Sequence, residues 1–550
     1  MVKRQPDHLD AWILGSGIAS LTAAVHLIQE AKVPPPRVHI IETLDVADGT
    51  TVSYGDPEHG YDFRAGVRPQ LNGACMDVLL SLVPSISDPN RTVRDEIIEF
   101  AKSLENQPTQ TRFLTRDGNG VVRVDGNKAE LGLRERIGLF MLASKSEKAL
   151  GRNRICDYFG EGFFRTGYWL SLATTFGLKP SHSATEFRRY LLHFHNLHDL
   201  NNSHPLDLGK YNVHESIIVP IVHFLQSKGV DFRFNTIISD ITFAYDNPTN
   251  PTEPTRVTAI QTSPARERGS SISSSQTVRI NINPDDIVAV SLGSTFTSIL
   301  PGTNTQSPPS LHPDPMTISD PDAELKDTEL DENWLLWLEI CTKHPKFGNP
   351  YNFCTRLQSS RLESFTITLS SPDFFSRLCK TTALSSITNK ILTLRDTPWL
   401  ITLRIPHQPV FPSQQHSIQV CWGYALAPDR KGTYIPKPML HCSGQEVLTE
   451  ILSYLGYPVE SILENAVTIP CIQPRAAATL LPRNPHDRPG VIPARMENMA
   501  VIGPFVDIEG EVVITTDYSV RGAQIAVREL MGAGSVGGTS KKGSAMKLLI

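Results

Sequence analysis

Apolar residues follow two rhythms along this chain. Ala11-Trp12-Ile13-Leu14 is a short continuous run, and Leu21, Ala24, Val25 and Ile28 then recur at helical spacing. The run predicts a buried strand and the spaced set a helix, with Gly15-Ser16-Gly17-Ile18-Ala19-Ser20 between them. Val38-His39-Ile40-Ile41 predicts a second strand, closed by Glu42. Residues 61–67 read as a strand entering a glycine turn, and a helix is expected from Gly73 to Val83. Residues 85–210 read as mainly helical and rich in aromatics, among them Phe159, Phe163, Phe164, Tyr168 and Trp169. Such a segment suits an apolar substrate pocket, although plain core is the commoner use of an aromatic cluster. Strand pattern resumes at 229–234 and at 286–294, the second stretch closing on Gly293-Ser294. Residues 498–505 add a short apolar strand ending in Gly503, with a helix ahead from Ser519 to Leu530.

The first strand, turn and helix carry chemistry. Gly15 permits a tight turn, and Gly17 removes a side chain that would block a pyrophosphate from the helix N-terminus. Ser20 stands where a third glycine is usual and is still small enough for close helix–strand packing. An acid at the end of the second strand, here Glu42, accepts hydrogen bonds from ribose hydroxyls. Strand, turn, helix, strand and acid in that order predict a dinucleotide site. Its place at the head of the chain, with a C-terminal return through Gly503, favours FAD over NAD.

The expected class is therefore α/β, with a Rossmann-like FAD-binding domain built from discontinuous segments and a mainly helical, aromatic-rich substrate domain. Residues 1–84, 211–300 and 491–535 are assigned to the FAD domain, 85–210 to substrate binding and 301–490 to a substrate or lid domain. Stretches 247–276 and 302–331, rich in Pro, Ser, Thr or Asp, read as flexible loops, and 536–550 as a flexible tail.

The chain has 550 residues, enough for two or three domains, with 40% hydrophobic and 20% charged residues. A net charge of −5 offers no basic field for nucleic acid. Eight scattered cysteines without a C-x-x-C pair suit reduced thiols and a cytoplasmic protein. Asp7 and Asp10 interrupt any signal-peptide core, and no apolar stretch is long enough to span a membrane. Peripheral contact through Lys541-Lys542 and the apolar end, and a homodimer, both stay open. His193, His195, His198 and His204 lie close in sequence, but no spacing completes a metal site and none is expected. Glu186 and Arg189 at i, i+3 suit a structural pair. Arg475, Arg483 and Arg488 suit either a substrate carboxylate or a solvated surface.

Several segments together resemble the FAD-binding oleate hydratase family, once called myosin-cross-reactive antigens. They include 15–20, Trp169 with Thr174-Thr175-Phe176, His182-Ser183-Ala184-Thr185-Glu186, and Tyr211-Asn212 with Glu215-Ser216-Ile217. Later come Gly293-Ser294, Phe347-Gly348-Asn349-Pro350, Trp422-Gly423-Tyr424, Pro482-Arg483 with Asp487-Arg488-Pro489, and Asp517-Tyr518-Ser519-Val520-Arg521. Their order spans nearly the whole chain. The resemblance implies FAD without net redox change and addition of water to a cis double bond of an unsaturated fatty acid. A related or polyketide-like lipid, or isomerisation of the double bond, is compatible with it.

One departure bears on catalysis. The family's Arg-Gly-Gly-Arg-Glu loop beside the flavin ends in a glutamate thought to orient water. Here the loop reads Arg64-Ala65-Gly66-Val67-Arg68, which leaves Arg64 and Gly66 at the flavin and puts Arg68 in the glutamate's place. A guanidinium cannot serve as base. The family's proton donor belongs to a Tyr-Asn-Gln-Tyr-Glu-Ser segment, which reads Tyr211-Asn212-Val213-His214-Glu215-Ser216 here. Tyr211 and His214 are both candidate donors. An FAD oxidoreductase on the same scaffold, or a non-catalytic lipid- or FAD-binding protein, are the competing expectations.

Overall fold

A computed structural model of the chain describes residues 3–49, 51–63, 73–104, 111–118, 120–125, 129–194, 200, 205–246, 250–265, 277–309 and 330–532. Five strands form a parallel sheet in the spatial order Met499–Ile502, Ile287–Ser291, Ala11–Leu14, Val38–Ile41, Asp231–Arg233. Its central strand is buried along its length, so an uninterrupted apolar run replaces alternation. The helices Ile18–Gln29 and Thr516–Leu530 pack against one another beside this sheet, and Leu21, Ala24, Val520 and Ala523 are wholly buried. This is the Rossmann-like layer, assembled from three distant parts of the chain.

An eight-stranded, mostly antiparallel sheet forms the second large layer, centred on Leu362–Leu369 between Ala466–Gln473 and Gln419–Ala425. Two of its strands, Thr111–Asp117 and Gly120–Asp125, come from within the stretch read as mainly helical. The hairpin Tyr54–Asp56/Gly60–Asp62 lies on this sheet, where Tyr61 N–H donates to Thr368 Oγ1 (2.8 Å) and Phe63 N–H to Thr366 Oγ1 (3.1 Å). The aromatic cluster packs on itself: Phe159 and Phe163 stack at 4.1 Å, and Phe163, Trp169 and Phe187 are buried. It is core.

Both expected loops need correction. Within 247–276 lies the nine-residue strand Arg256–Pro264, paired with Thr236–Ala244 and Val278–Asn281. Its β-branched residues and buried Val257, Ala259 and Ile260 outweigh the Pro and Ser on either side. Within 302–331, residues 302–309 are tied down. Gly302 N–H donates to Pro470 O (2.8 Å), and Asn304 Oδ1 accepts Thr468 N–H (2.9 Å). Residues 266–276 and 310–329, and the tail 536–550, lie outside the described residues.

Candidate cofactor and catalytic site

Three chain segments bring glycine turns to one edge of the parallel sheet, the carboxyl ends of its strands, where open α/β sheets bind ligands. Gly15 follows the first strand with φ +97°, and Gly503 follows the last with φ +98°. Ser291, at the end of the strand between them, fills the space beside both: a Cβ on Gly15 would lie 3.2 Å from Ser291 Cβ, and one on Gly503 3.2 Å from Ser291 Oγ. Gly293, at φ +65°, admits Phe505 and Trp334, and Ser294 O accepts Trp334 Nε1–H at 3.1 Å. Gly293 and Ser294 thus shape the aromatic packing next to the edge.

Gly17 is different. It is the N-cap of the helix Ile18–Gln29, has extended backbone (φ −66°, ψ 173°), and offers no capping side chain. A Cβ there would touch only Asp48 Oδ1, at 3.9 Å. No side chain at Gly17 therefore stands over the first turn of the helix, Ile18, Ala19 and Ser20, where an anion would be held. Glu42 caps the neighbouring strand. Its Oε2 accepts Ser16 N–H (2.9 Å) and the Ser16 hydroxyl, and its Oε1 accepts Leu44 N–H (3.0 Å). A carboxylate offers about four lone-pair positions, so a ribose hydroxyl can still be accepted. Among the described residues, buried Ser20 Oγ has no hydrogen-bond partner. Open cradle, acid and orphan hydroxyl fit a dinucleotide such as FAD.

Asp48 borders the same cradle. Removal from water pushes its carboxyl up to about 7, with the Glu42 charge adding to the rise and the Thr51 hydroxyl opposing it. A folded pKa above the unfolded value of about 3.9 means full stability below that value, lost as pH rises towards 7. Asp48→Asn should therefore raise stability by about 2 kcal/mol at pH 8 and by far less at pH 4. Thermal melts across that range measure the difference, and a pH-independent gain would refute it.

The Tyr211–Ser216 segment meets Thr51, next to the cradle, through His214. Asn212 N–H and Nδ2–H both donate to Val410 O (2.9 and 3.2 Å), and Ser216 Oγ ties back to the Tyr211 backbone (3.1 Å). Phe411, beside that anchor, stacks on Tyr61 (4.8 Å) and meets Phe63 edge-on (6.0 Å). The strand leading to residue 64 and the Tyr211 segment are thus fixed on one support. His214 is buried, which lowers its proton affinity, and its Nδ1 lies 3.3 Å from Thr51 Oγ1. Arg64, Gly66 and Arg68 lie outside the described residues. The far end of their loop is anchored at Gly73, where a side chain would collide with Asp517, whose Oδ1 accepts Met76 N–H (2.8 Å).

Other candidates settle elsewhere. Arg475, Arg483 and Arg488 are buried, neither solvated nor surface-exposed. Glu186 bonds Arg483 and Arg488, and Arg189 bonds Glu147 and Asp507, so the expected i, i+3 pair is replaced by longer-range ones. Among the described residues no three His, Cys, Asp or Glu gather as metal ligands; His195, His198 and His204 are not among them. All eight cysteines are free thiols, and no described helix is long and apolar enough to cross a membrane. Sequence reading missed Thr51 and Asp48, which carry no motif and gain meaning only through contacts.

The model of the MCRA family matches residues 8–528. The chain belongs to the MCRA family. Among relatives, an oleate hydratase of Streptococcus pyogenes serotype M49 (strain NZ131) is 30% identical over 540 residues, covering 95% of this chain and 86% of its own. A linoleate hydratase of Lactiplantibacillus plantarum is 25% identical over 568 residues, covering 95% and 93%. Among solved structures, an oxidoreductase from Methanosarcina mazei matches 94% of this chain and 99% of its own at 11% identity and a TM-score of 0.49, too distant to inform chemistry.

Proposed function

We propose that this MCRA-family chain is an FAD-dependent hydratase that adds water across a carbon–carbon double bond of an unsaturated fatty acid or related lipid. The observation that carries the reading is the meeting of two segments at one edge: the Gly15–Glu42 nucleotide cradle and the Tyr211–His214 segment, joined through Thr51. Hydratase relatives over nearly the full length support the same class of reaction. FAD would be held by residues 15–20 at its pyrophosphate and by Glu42 at its ribose, with Gly503 leaving room at the edge. Bound there, it would supply fixed polar groups beside the alkene without net redox change.

An isolated alkene needs a proton on one carbon and water on the other. Tyr211 carries the phenol for the first task. A site that holds both groups in place and keeps out bulk water supplies much of the rate. Arg68, where the family's acid stands, cannot take up the water's proton.

The test is mass spectrometry of oleate and linoleate incubated anaerobically with the FAD-loaded protein in heavy-oxygen water. A hydroxy fatty acid carrying the heavy oxygen, with the flavin still oxidised, is expected. Bleaching of the flavin with no oxygen incorporated would replace the hydratase reading by an oxidoreductase one.

A further inference from the structure

The Arg68 substitution leaves the reaction without its usual carboxylate, and the surroundings of His214 supply another group. Thr51 Oγ lies 2.7 Å from Asp48 Oδ2, 3.0 Å from Asp48 O and 3.3 Å from His214 Nδ1. A hydroxyl has one proton to give. The two shorter contacts both run to Asp48, and the backbone carbonyl among them can only accept. Asp48 O is nearer than the imidazole and accepts in either protonation state of the Asp48 carboxyl, so the threonine proton goes to Asp48 and a lone pair faces the imidazole. Asp48 is itself fixed, because its N–H donates to Ser16 Oγ (2.8 Å), the hydroxyl that binds Glu42.

From this chain of contacts we propose that His214 accepts the proton of the attacking water, held by Thr51 and Asp48 in the tautomer that protonates Nδ1 and leaves Nε2 bare. The inference rests on the hydratase reading. Thr51 and Asp48 are positioning residues, playing the part that a carboxylate plays for histidine in hydrolase triads. Burial of His214 disfavours the imidazolium and so suits a resting base rather than a resting acid.

The step balances without an oxidant or reductant. The Tyr211 phenol gives its proton to one alkene carbon as the π bond breaks. The water oxygen bonds to the other carbon, and one water proton passes to His214 Nε2. The imidazolium then returns a proton to the Tyr211 phenolate through solvent, and the lipid has gained one water.

The experiment has two arms on the full-length protein. Nitrogen NMR of labelled imidazoles, with the His214 signal assigned by its loss in His214→Gln, should show a neutral ring protonated at Nδ1. Thr51→Val should shift that ring towards the Nε2–H form, and Thr51→Ser should restore it. In the heavy-oxygen assay, His214→Gln should lower kcat about 10²–10⁴-fold with little change in KM. Thr51→Val should lower kcat about tenfold, as expected for a weakened positioning hydrogen bond, with recovery in Thr51→Ser. A ring protonated at Nε2, or wild-type kcat in His214→Gln, overturns the proposal while hydration by the wild type stands. If His214→Gln does not fold, the Thr51 pair decides by the same readings. No oxygen incorporation by the wild type brings down the hydratase reading and the catalytic role together, whatever the tautomer.

Discussion

Gly17→Val should give a folded protein that no longer binds FAD. The two halves of that statement have separate causes. Folding survives because Gly17 has extended backbone, which any residue adopts, and because a Cβ there meets nothing closer than Asp48 Oδ1 at 3.9 Å. Binding fails because the added methyls occupy the open side of the helix N-terminus, where a pyrophosphate must approach the backbone N–H groups. A loss of at least about 100-fold in affinity, about 2.7 kcal/mol, is expected. Gly15→Ala makes the contrast. At φ +97° and 3.2 Å from Ser291 Cβ, a side chain strains the turn itself, so the protein without FAD should lose about 1–2 kcal/mol of stability. Fluorescence titration with FAD and thermal melts of both variants separate the effects. Full FAD retention by Gly17→Val would remove this turn from the cofactor site.

That turn was legible in the sequence because its signal is local. A buried strand, two glycines at fixed spacing, a helix and an acid all fall within residues 11–42. The central strand of the second sheet had no such signal. Leu362–Leu369 alternates Phe365, Ile367 and Leu369 with serine and threonine, yet it is buried on both faces, Glu363 included, and its place between Ala466–Gln473 and Gln419–Ala425 follows only from long-range pairing. Arg256–Pro264 was obscured by neighbouring Pro, Ser and Thr, and only its pairing with Thr236–Ala244 gives it a place. At the candidate site, His214 stood out by replacing a tyrosine, whereas its partner Thr51 lies 163 residues away. Contacts across such distances follow from the fold, and no spacing rule reaches them.

The buried arginines show the same limit and carry the largest stability effect. Glu186 is fully buried on the helix Ala184–His193, and its Oε1 meets Arg483 Nη2 (3.2 Å) and Arg488 Nη1 (3.3 Å). Asp507 Oδ1 accepts from Arg483 (2.9 Å) and Arg189 (3.2 Å), and Glu147 closes the group on Arg189 (2.7 Å). Asp507 follows Gly503 by four residues, so this cluster also binds the helical segment to the turn at the cofactor edge. Burial works to raise the Glu186 carboxyl, but Arg488, Arg189 and Arg483 outweigh it and hold it below its ordinary value. Its stabilising effect is therefore present above the unfolded carboxyl range and lost as pH falls through the lowered folded value. Glu186→Gln keeps the shape but leaves buried Arg488 without its carboxylate and Arg483 with Asp507 alone, so a loss of about 3–5 kcal/mol is expected at pH 7. Asp507→Asn, at a position more open to water, should cost less, about 1–2 kcal/mol. Denaturant unfolding at pH 7 and near pH 3 tests both, the Glu186→Gln deficit shrinking in acid as the wild-type carboxylate takes up its proton. A Glu186→Gln protein within 1 kcal/mol of wild type at pH 7 would show that water or a shifted chain compensates these arginines, and that the cluster does not hold the edge in place.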